Sequence, residues 1–156
     1  MYCRNRVGYV IFPAMIAVVA LAIAACASRH PTADRVPSHA MEDALSYKAP
    51  FGDTRTAPPE IVTAGKALYE GKGNCILCHG ISGKGDGPAA HMQDPHLPTD
   101  FTNCSVQNVR KDGELFWVIK HGSPGTGMKS LIPGMLSEEE GWKLVAYVRT
   151  FCTAHS

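Results

Sequence analysis

Charge of one sign is what this sequence most plainly lacks. Its 156 residues carry 15 Lys and Arg against 14 Asp and Glu, a formal net charge of +1, with no sustained basic run. That removes the electrostatic footprint of a nucleic-acid binder. No internal repeat occurs, and no segment shows convincing strand alternation, which argues against a repeat architecture and against a sheet. The stretch Gly85-Asp86-Gly87-Pro88 lacks the Lys-Ser/Thr ending of a phosphate-binding loop, and its aspartate would repel phosphate. No nucleophile and base stand in a catalytic arrangement. The length suits one domain with appendages rather than two cores.

The ends of the chain are unlike its middle. Arg4 and Arg6 precede an uncharged apolar run over 10–25 that only Pro13 interrupts. This reads as an export signal over 1–25, since the run is near the lower length limit for an uncleaved transmembrane anchor. It ends in Ile23-Ala24-Ala25-Cys26, similar to the bacterial lipobox. Small residues let a peptidase close on the backbone there, and the Cys26 thiol is the nucleophile that takes a diacylglyceryl group. Two or more acyl chains give stable anchoring, because each buried CH₂ contributes about 0.8 kcal/mol. The expectation is a lipid-anchored protein on the periplasmic side of a bacterial envelope. Ala27 in place of an inner-membrane retention aspartate slightly favours the outer membrane. Residues 26–58, rich in Pro, Ala, Ser and Thr, are expected to be a flexible tether with at most a short helical turn around 41–47.

From residue 59 a helical texture begins. Pro59-Glu60 suits a first helical turn, and Ile61, Ala64 and Leu68 recur at helical spacing until Gly71 and Gly73. Asp112 is a candidate cap for a second helix over Leu115, Phe116, Val118 and Ile119, stopped by Gly122. Ser137 with Glu140 forms a capping box that opens a third helix, with Trp142, Val145, Ala146 and Arg149 on one face. Glu138, Glu139 and Glu140 sit where the helix dipole favours negative charge. Residues 80–108, full of Gly, Pro and Asp, are expected to be a long loop wrapped around something. The fold class is therefore all-α, with three to four short helices and long loops over 59–156. Such a unit rarely builds a sufficient core at this size, so a large apolar body should fill its middle.

The six cysteines stand at 3, 26, 75, 78, 104 and 152. Cys75, Cys78, Cys104 and Cys152 could supply four zinc ligands, but the later pair lacks the tight spacing of such sites and His79 is left without a part. A thioredoxin-like redox pair needs a βαβ context that is missing. Haem uses every residue. Two thiols three apart can add to the two vinyl groups of one porphyrin, and His79 then falls beneath the iron; C-x-x-C-H is the attachment signature of c-type haem. A flat apolar disc also supplies the missing core. Cys104 and Cys152 make an even exported pair, expected as a disulfide by cysteine arithmetic.

Three blocks carry a family resemblance: Gly65-Lys66-Ala67-Leu68-Tyr69 running into Cys75–Gly80 and Gly83–Pro88; Asp112–Gly122; and Gly125-Thr126-Gly127-Met128 followed by Leu136–Arg149. Together they resemble a class I c-type cytochrome of the small bacterial mono-haem kind. The resemblance implies a cytochrome c fold around one covalently bound haem c. It implies thioethers at Cys75 and Cys78, and His79 and Met128 as axial ligands. Met135 is the runner-up for the sixth position. Lys129 departs from the proline that many relatives carry after the axial methionine. The resemblance also implies that the Pro88 carbonyl accepts the second N–H of His79, and that Gly65 and Tyr147 meet at a helix crossing. His91, His96 and His121 read as solvated or structural.

The function implied is transfer of single electrons between redox protein partners, with no acid–base catalysis. Two other readings stay open. One is a fixed cytochrome subunit of a larger respiratory or dehydrogenase complex, docked through the helix carrying Leu115, Phe116, Trp117 and Ile119. The other is a haem-based ligand sensor with a displaceable sixth ligand. Donor, acceptor and midpoint potential are not encoded in any motif.

Overall fold

The computed structural model describes residues 35–153. The expected signal segment, Cys26 and the tether's first residues, 26–34, lie outside them. Among the described residues the structure is helical with no strand, as the helical periodicity predicts. The α-helices are α1 (Met41–Ser46), α2 (Pro59–Glu70), α3 (Ile76–His79), α4 (Cys104–Val109), α5 (Asp112–His121) and α6 (Glu138–Thr153). Among the described residues, no helix is long and apolar enough to cross a membrane.

The frame is the crossing of α2 on α6. Pro59 occupies the first turn of α2, where its missing N–H costs nothing. Gly65 makes the crossing possible: a Cβ there would lie 2.1 Å from the Lys143 carbonyl oxygen and 2.8 Å from Tyr147 Cβ. Backbone therefore packs on backbone, and the Tyr69 and Tyr147 rings meet edge-on at 5.3 Å. Helix α6 starts with the capping box read from the sequence. The Glu140 N–H donates to Ser137 Oγ at 3.2 Å, and the Ser137 N–H donates to Glu140 Oε2 at 2.8 Å. Phe116 of α5 stacks on Trp142 of α6 at 4.1 Å, with Leu136, Leu144 and Val145 buried around them.

Two elements depart from the sequence reading. Helix α5 starts at Asp112, so Asp112 is its first residue and not its cap. Its carboxylate accepts instead from Arg149 Nε at 2.8 Å and Nη2 at 2.6 Å. Arg149, buried on the inner face of α6, also donates to the Gln107 and Arg110 carbonyls. One guanidinium thus ties α4, α5 and α6. Helix α4 itself lies in the stretch read as loop; Asn103 starts it, its side-chain oxygen accepting from the Val106 N–H at 3.3 Å. That asparagine was the available signal, but six residues show too little periodicity to stand out.

The larger correction concerns the tether. From Arg35 to Pro58 the chain is strapped onto the domain. A 3-10 turn, Ser38–Ala40, leads into α1, and Val36, Ala40 and Ala44 are buried with Trp117 in a second apolar cluster. Gly113 lets this happen, since a Cβ there would lie 2.1 Å from the Ala44 carbonyl oxygen. Farther along, Arg55 Nη2 donates to the Gln107 carbonyl at 2.8 Å, and Tyr47 packs on Phe116 at 5.1 Å. Three small apolar residues, Val36, Ala40 and Ala44, suffice because their target is a tryptophan and a bare stretch of helix. The docking expectation is corrected in part: of the four residues named for it, Leu115, Phe116 and Trp117 are buried within this chain, and Ile119 is half-buried.

Candidate functional site

A cleft of about 400 Å³, mostly apolar, opens among α3, α5, α6 and the loops that join them. That volume lies within the range of cofactor sites, about 300–1,000 Å³. Cys75, Cys78 and His79 line it, as do Leu115, Val118, Ile119, Leu144, Val145 and Val148. The body of α5 and α6 thus presents to the cleft the residues that would otherwise need each other as core.

Helix α3 is one turn long. The His79 N–H donates to the Cys75 carbonyl at 2.8 Å, and the Gly80 N–H to Ile76 at 3.0 Å. The Gly-rich loop then folds back along it: Gly85 N–H donates to the His79 carbonyl, Gly87 N–H to Cys78 and Ala89 N–H to Leu77. Gly87 is pressed so close that a Cβ would lie 2.5 Å from the Ile76 and Leu77 carbonyl oxygens. Tyr69 locks the turn from below, its buried hydroxyl donating to the Gly80 carbonyl at 2.8 Å. Burial first, and then the nearby Cys75, holds that phenol above its ordinary range, so it remains a donor.

His79 has its second partner, but not the one expected. Its Nδ1 lies 3.2 Å from the Thr99 carbonyl oxygen, in place of Pro88. The backbone on either side of Pro88 is turned to α3, and Pro88 itself is exposed. Residues 96–101 pass the imidazole instead, tied down by the Phe101 N–H donating to the Gly83 carbonyl at 2.7 Å. The Phe101 ring stacks on the imidazole at 4.4 Å. A carbonyl oxygen only accepts, so Nδ1 carries the hydrogen. Burial pulls the ring's pKa down to about 4, with the Thr99 bond opposing and Arg35 adding to the shift. At neutral pH the ring is therefore uncharged, with the Nε2 lone pair free to bind a metal.

Burial pushes the Cys75 thiol up to about 12. It is thus no ready thiolate for disulfide exchange. Cys104 and Cys152 are joined as a disulfide between α4 and α6, Cα atoms 5.1 Å apart, which removes both from any thiolate ligand set. The donor set that remains, two thiols and one neutral imidazole beside an apolar cleft, fits haem.

Met128 lines the same cleft on the loop between α5 and α6, and its side chain is half-buried. The loop is secured without the proline. The Ser123 N–H donates to the Met128 carbonyl at 2.9 Å, and the Met128 N–H to Thr126 Oγ1 at 3.1 Å. The Ser123 hydroxyl donates to the Arg35 carbonyl at 2.9 Å, and the Leu131 N–H to Ile119. Met135 borders the cleft too, but is 47% exposed. His96 reaches the rim and is exposed, as is His91. His121 packs against Trp117 at 4.8 Å. Thr99, Ser123 and Arg35 were not singled out from the sequence; backbone acceptors and single polar residues leave no pattern in it.

Residues 62–151, more than half of the chain, match the family model for cytochrome c. Among curated proteins none matches. Among solved structures the chain is similar to a protein described as "Kuenenia stuttgartiensis reducing HAO-like protein complex Kustc0457/Kustc0458", with 33% identity and a TM-score of 0.55. The match covers 70% of this chain and 54% of that one, so the chain spans about half the length of its solved relative. An all-α fold around an apolar cleft, the C-x-x-C-H turn and the family match agree: this chain belongs to the cytochrome c family, electron-transfer proteins that carry covalently attached haem c.

Proposed function

We propose that this is a mono-haem electron carrier, held by thioethers at Cys75 and Cys78, with His79 and Met128 as axial ligands, and anchored to a membrane through a lipid on Cys26. When bound, the haem supplies a one-electron ferric/ferrous couple. The observation that carries the reading is the imidazole of His79, neutral, with Nδ1–H on the Thr99 carbonyl, in the cleft that Cys75, Cys78 and Met128 also line. That bond orients the ring and makes Nε2 a better donor. Tyr69 and the loop over 80–89 keep α3 from moving when charge changes. The pinned Met128 loop would hold its thioether just as firmly, and thioether ligation would favour the reduced form relative to a second imidazole.

The sequence pattern of Arg4, Arg6, the apolar run over 10–25 and Ile23-Ala24-Ala25-Cys26 supports a position on the periplasmic side, with the outer membrane slightly favoured. Confinement to a surface raises its effective concentration near redox partners. Residues 35–58, expected as part of the tether, belong to the folded part instead. Redox titration of the exported protein should give a single one-electron wave, and its oxidised form should show the weak near-infrared sulfur-to-iron band. Rapid carbon monoxide binding by the reduced protein at neutral pH, with no such band, would instead mean a displaceable sixth ligand.

The solved relative is a protein complex, which favours a second reading, a fixed subunit of a redox assembly. Purification in mild detergent separates the two. A lone species supports the mobile carrier, and stoichiometric co-purification supports the subunit.

A further inference from the structure

Two arginines border the cleft, and no attachment or ligation motif accounts for either. Arg110 ends α4, is 9% exposed, and its Nε has no hydrogen-bond partner. A buried donor without a partner is unfavourable unless a ligand supplies the acceptor. Arg35 lies on the strap, outside the residues that match the family. Its Nη2 donates to the Leu97 carbonyl at 2.8 Å, which lays the guanidinium along the segment that runs past His79. The two cations feel one another. Burial first, then Arg35, pulls Arg110 below the usual arginine range; Arg149 adds to this and Glu114 opposes it.

A chain that keeps two like charges and an orphaned N–H beside one cleft has a use for an anion there. The cofactor brings one. Haem is an apolar disc with two carboxylate side chains along one edge, and the cleft offers apolar walls with cations at their margin. We propose that Arg35 and Arg110 form a carboxylate-holding pair that takes the haem propionates, so that the strap ahead of the family domain completes the cofactor site. The proposal rests on haem occupying this cleft, as set out above. It also gives the strap a role beyond covering Trp117. The Arg35 carbonyl holds the Met128 loop through Ser123, while the Arg35 side chain meets the propionate edge.

The test uses the exported holoprotein, with covalent haem first verified by mass, and haem propionates carrying carbon-13 in their carboxyl groups. Reduced-minus-oxidised infrared spectra then report those carboxylates alone. Arg35→Gln and Arg110→Gln should each shift the labelled bands and lower the midpoint potential, because losing a cation beside the ring favours the ferric form. Arg35→Lys should restore the potential towards the native value. Lys48→Gln, exposed on the same strap, bonded only to the Leu45 carbonyl and away from the cleft, should change neither. Labelled bands and potential that stay native in Arg35→Gln would overturn the pair, even if Arg110→Gln fails to fold. Native protein without haem would instead overturn the reading on which the pair rests.

Discussion

On the side of the cleft that bears Cys75, Cys78 and His79, the backbone closes upon itself. Residues 75–89 bond chiefly among themselves, and their outside ties come from nearby in the sequence: Tyr69 on Gly80, Thr99 on His79 and Phe101 on Gly83. The Met128 loop is held the other way. Its anchors include the Arg35 carbonyl, 88 residues from Ser123, and its neighbour in space is Gln93, whose Oε1 fills the position of a Gly127 Cβ. The attachment site is thus a local object that travels with its motif. The Met128 loop is a consequence of the whole fold. On the function proposed, the local turn would capture the cofactor and the distant ties would set how firmly its far side is covered.

Substitutions that cut local or distant ties should break this division in different ways. Replacing both Cys75 and Cys78 by Ser should abolish covalent haem outright, seen as loss of haem staining on denaturing gels. Met128→Ala should keep the covalent haem yet lose the near-infrared band, whereas Met135→Ala should keep both. If only Met135→Ala removes the band, the ligand is misassigned.

The next largest effect concerns the distant ties themselves. Arg149→Met leaves the half-buried Asp112 carboxylate without its partner and should cost about 3–5 kcal/mol, read from denaturant unfolding of the holoprotein. The same pair sets an acid limit. Burial pushes the Asp112 carboxyl up, but hydrogen bonds from Thr54 and Arg149 outweigh it and hold it below its ordinary value. The unfolded chain therefore binds the proton more readily than the folded one. The pair's contribution is complete above about pH 4 and is lost as pH falls through the depressed folded value. Asp112→Asn should flatten that acid limb.

Gly113→Ala drives a methyl into the Ala44 carbonyl and should cost about 1–3 kcal/mol. Limited trypsin digestion should then cut faster after Lys48 and Arg55. Gly134→Ala, with nothing within 4 Å, should leave the digestion pattern native. The smallest effect belongs to a local cap: Ser137→Ala should cost about 1 kcal/mol.

Legibility followed the same boundary. The C-x-x-C-H turn, the glycine at the α2–α6 crossing and the Ser137 cap could be read because each is set by neighbours in sequence or by a bare backbone at a fixed place. The strap could not. Val36, Ala40 and Ala44 are spaced as a helix face, but α1 is six residues long and stable only against Trp117. Asp112 looked like a cap because caps are local, and the guanidinium that claims it lies 37 residues away. Pro88 lost the His79 proton to Thr99 for a similar reason. The competing segment returns to the ring only after the loop has closed on α3.

The most direct measurement is the mass of the tryptic peptide spanning residues 73–84 from the exported protein. Attachment through Cys75 and Cys78 predicts a peptide heavier by one haem, still coloured after acid–acetone extraction. A peptide of unmodified mass with two free thiols, its colour lost to the solvent or stoichiometric zinc in place of iron, would contradict the account.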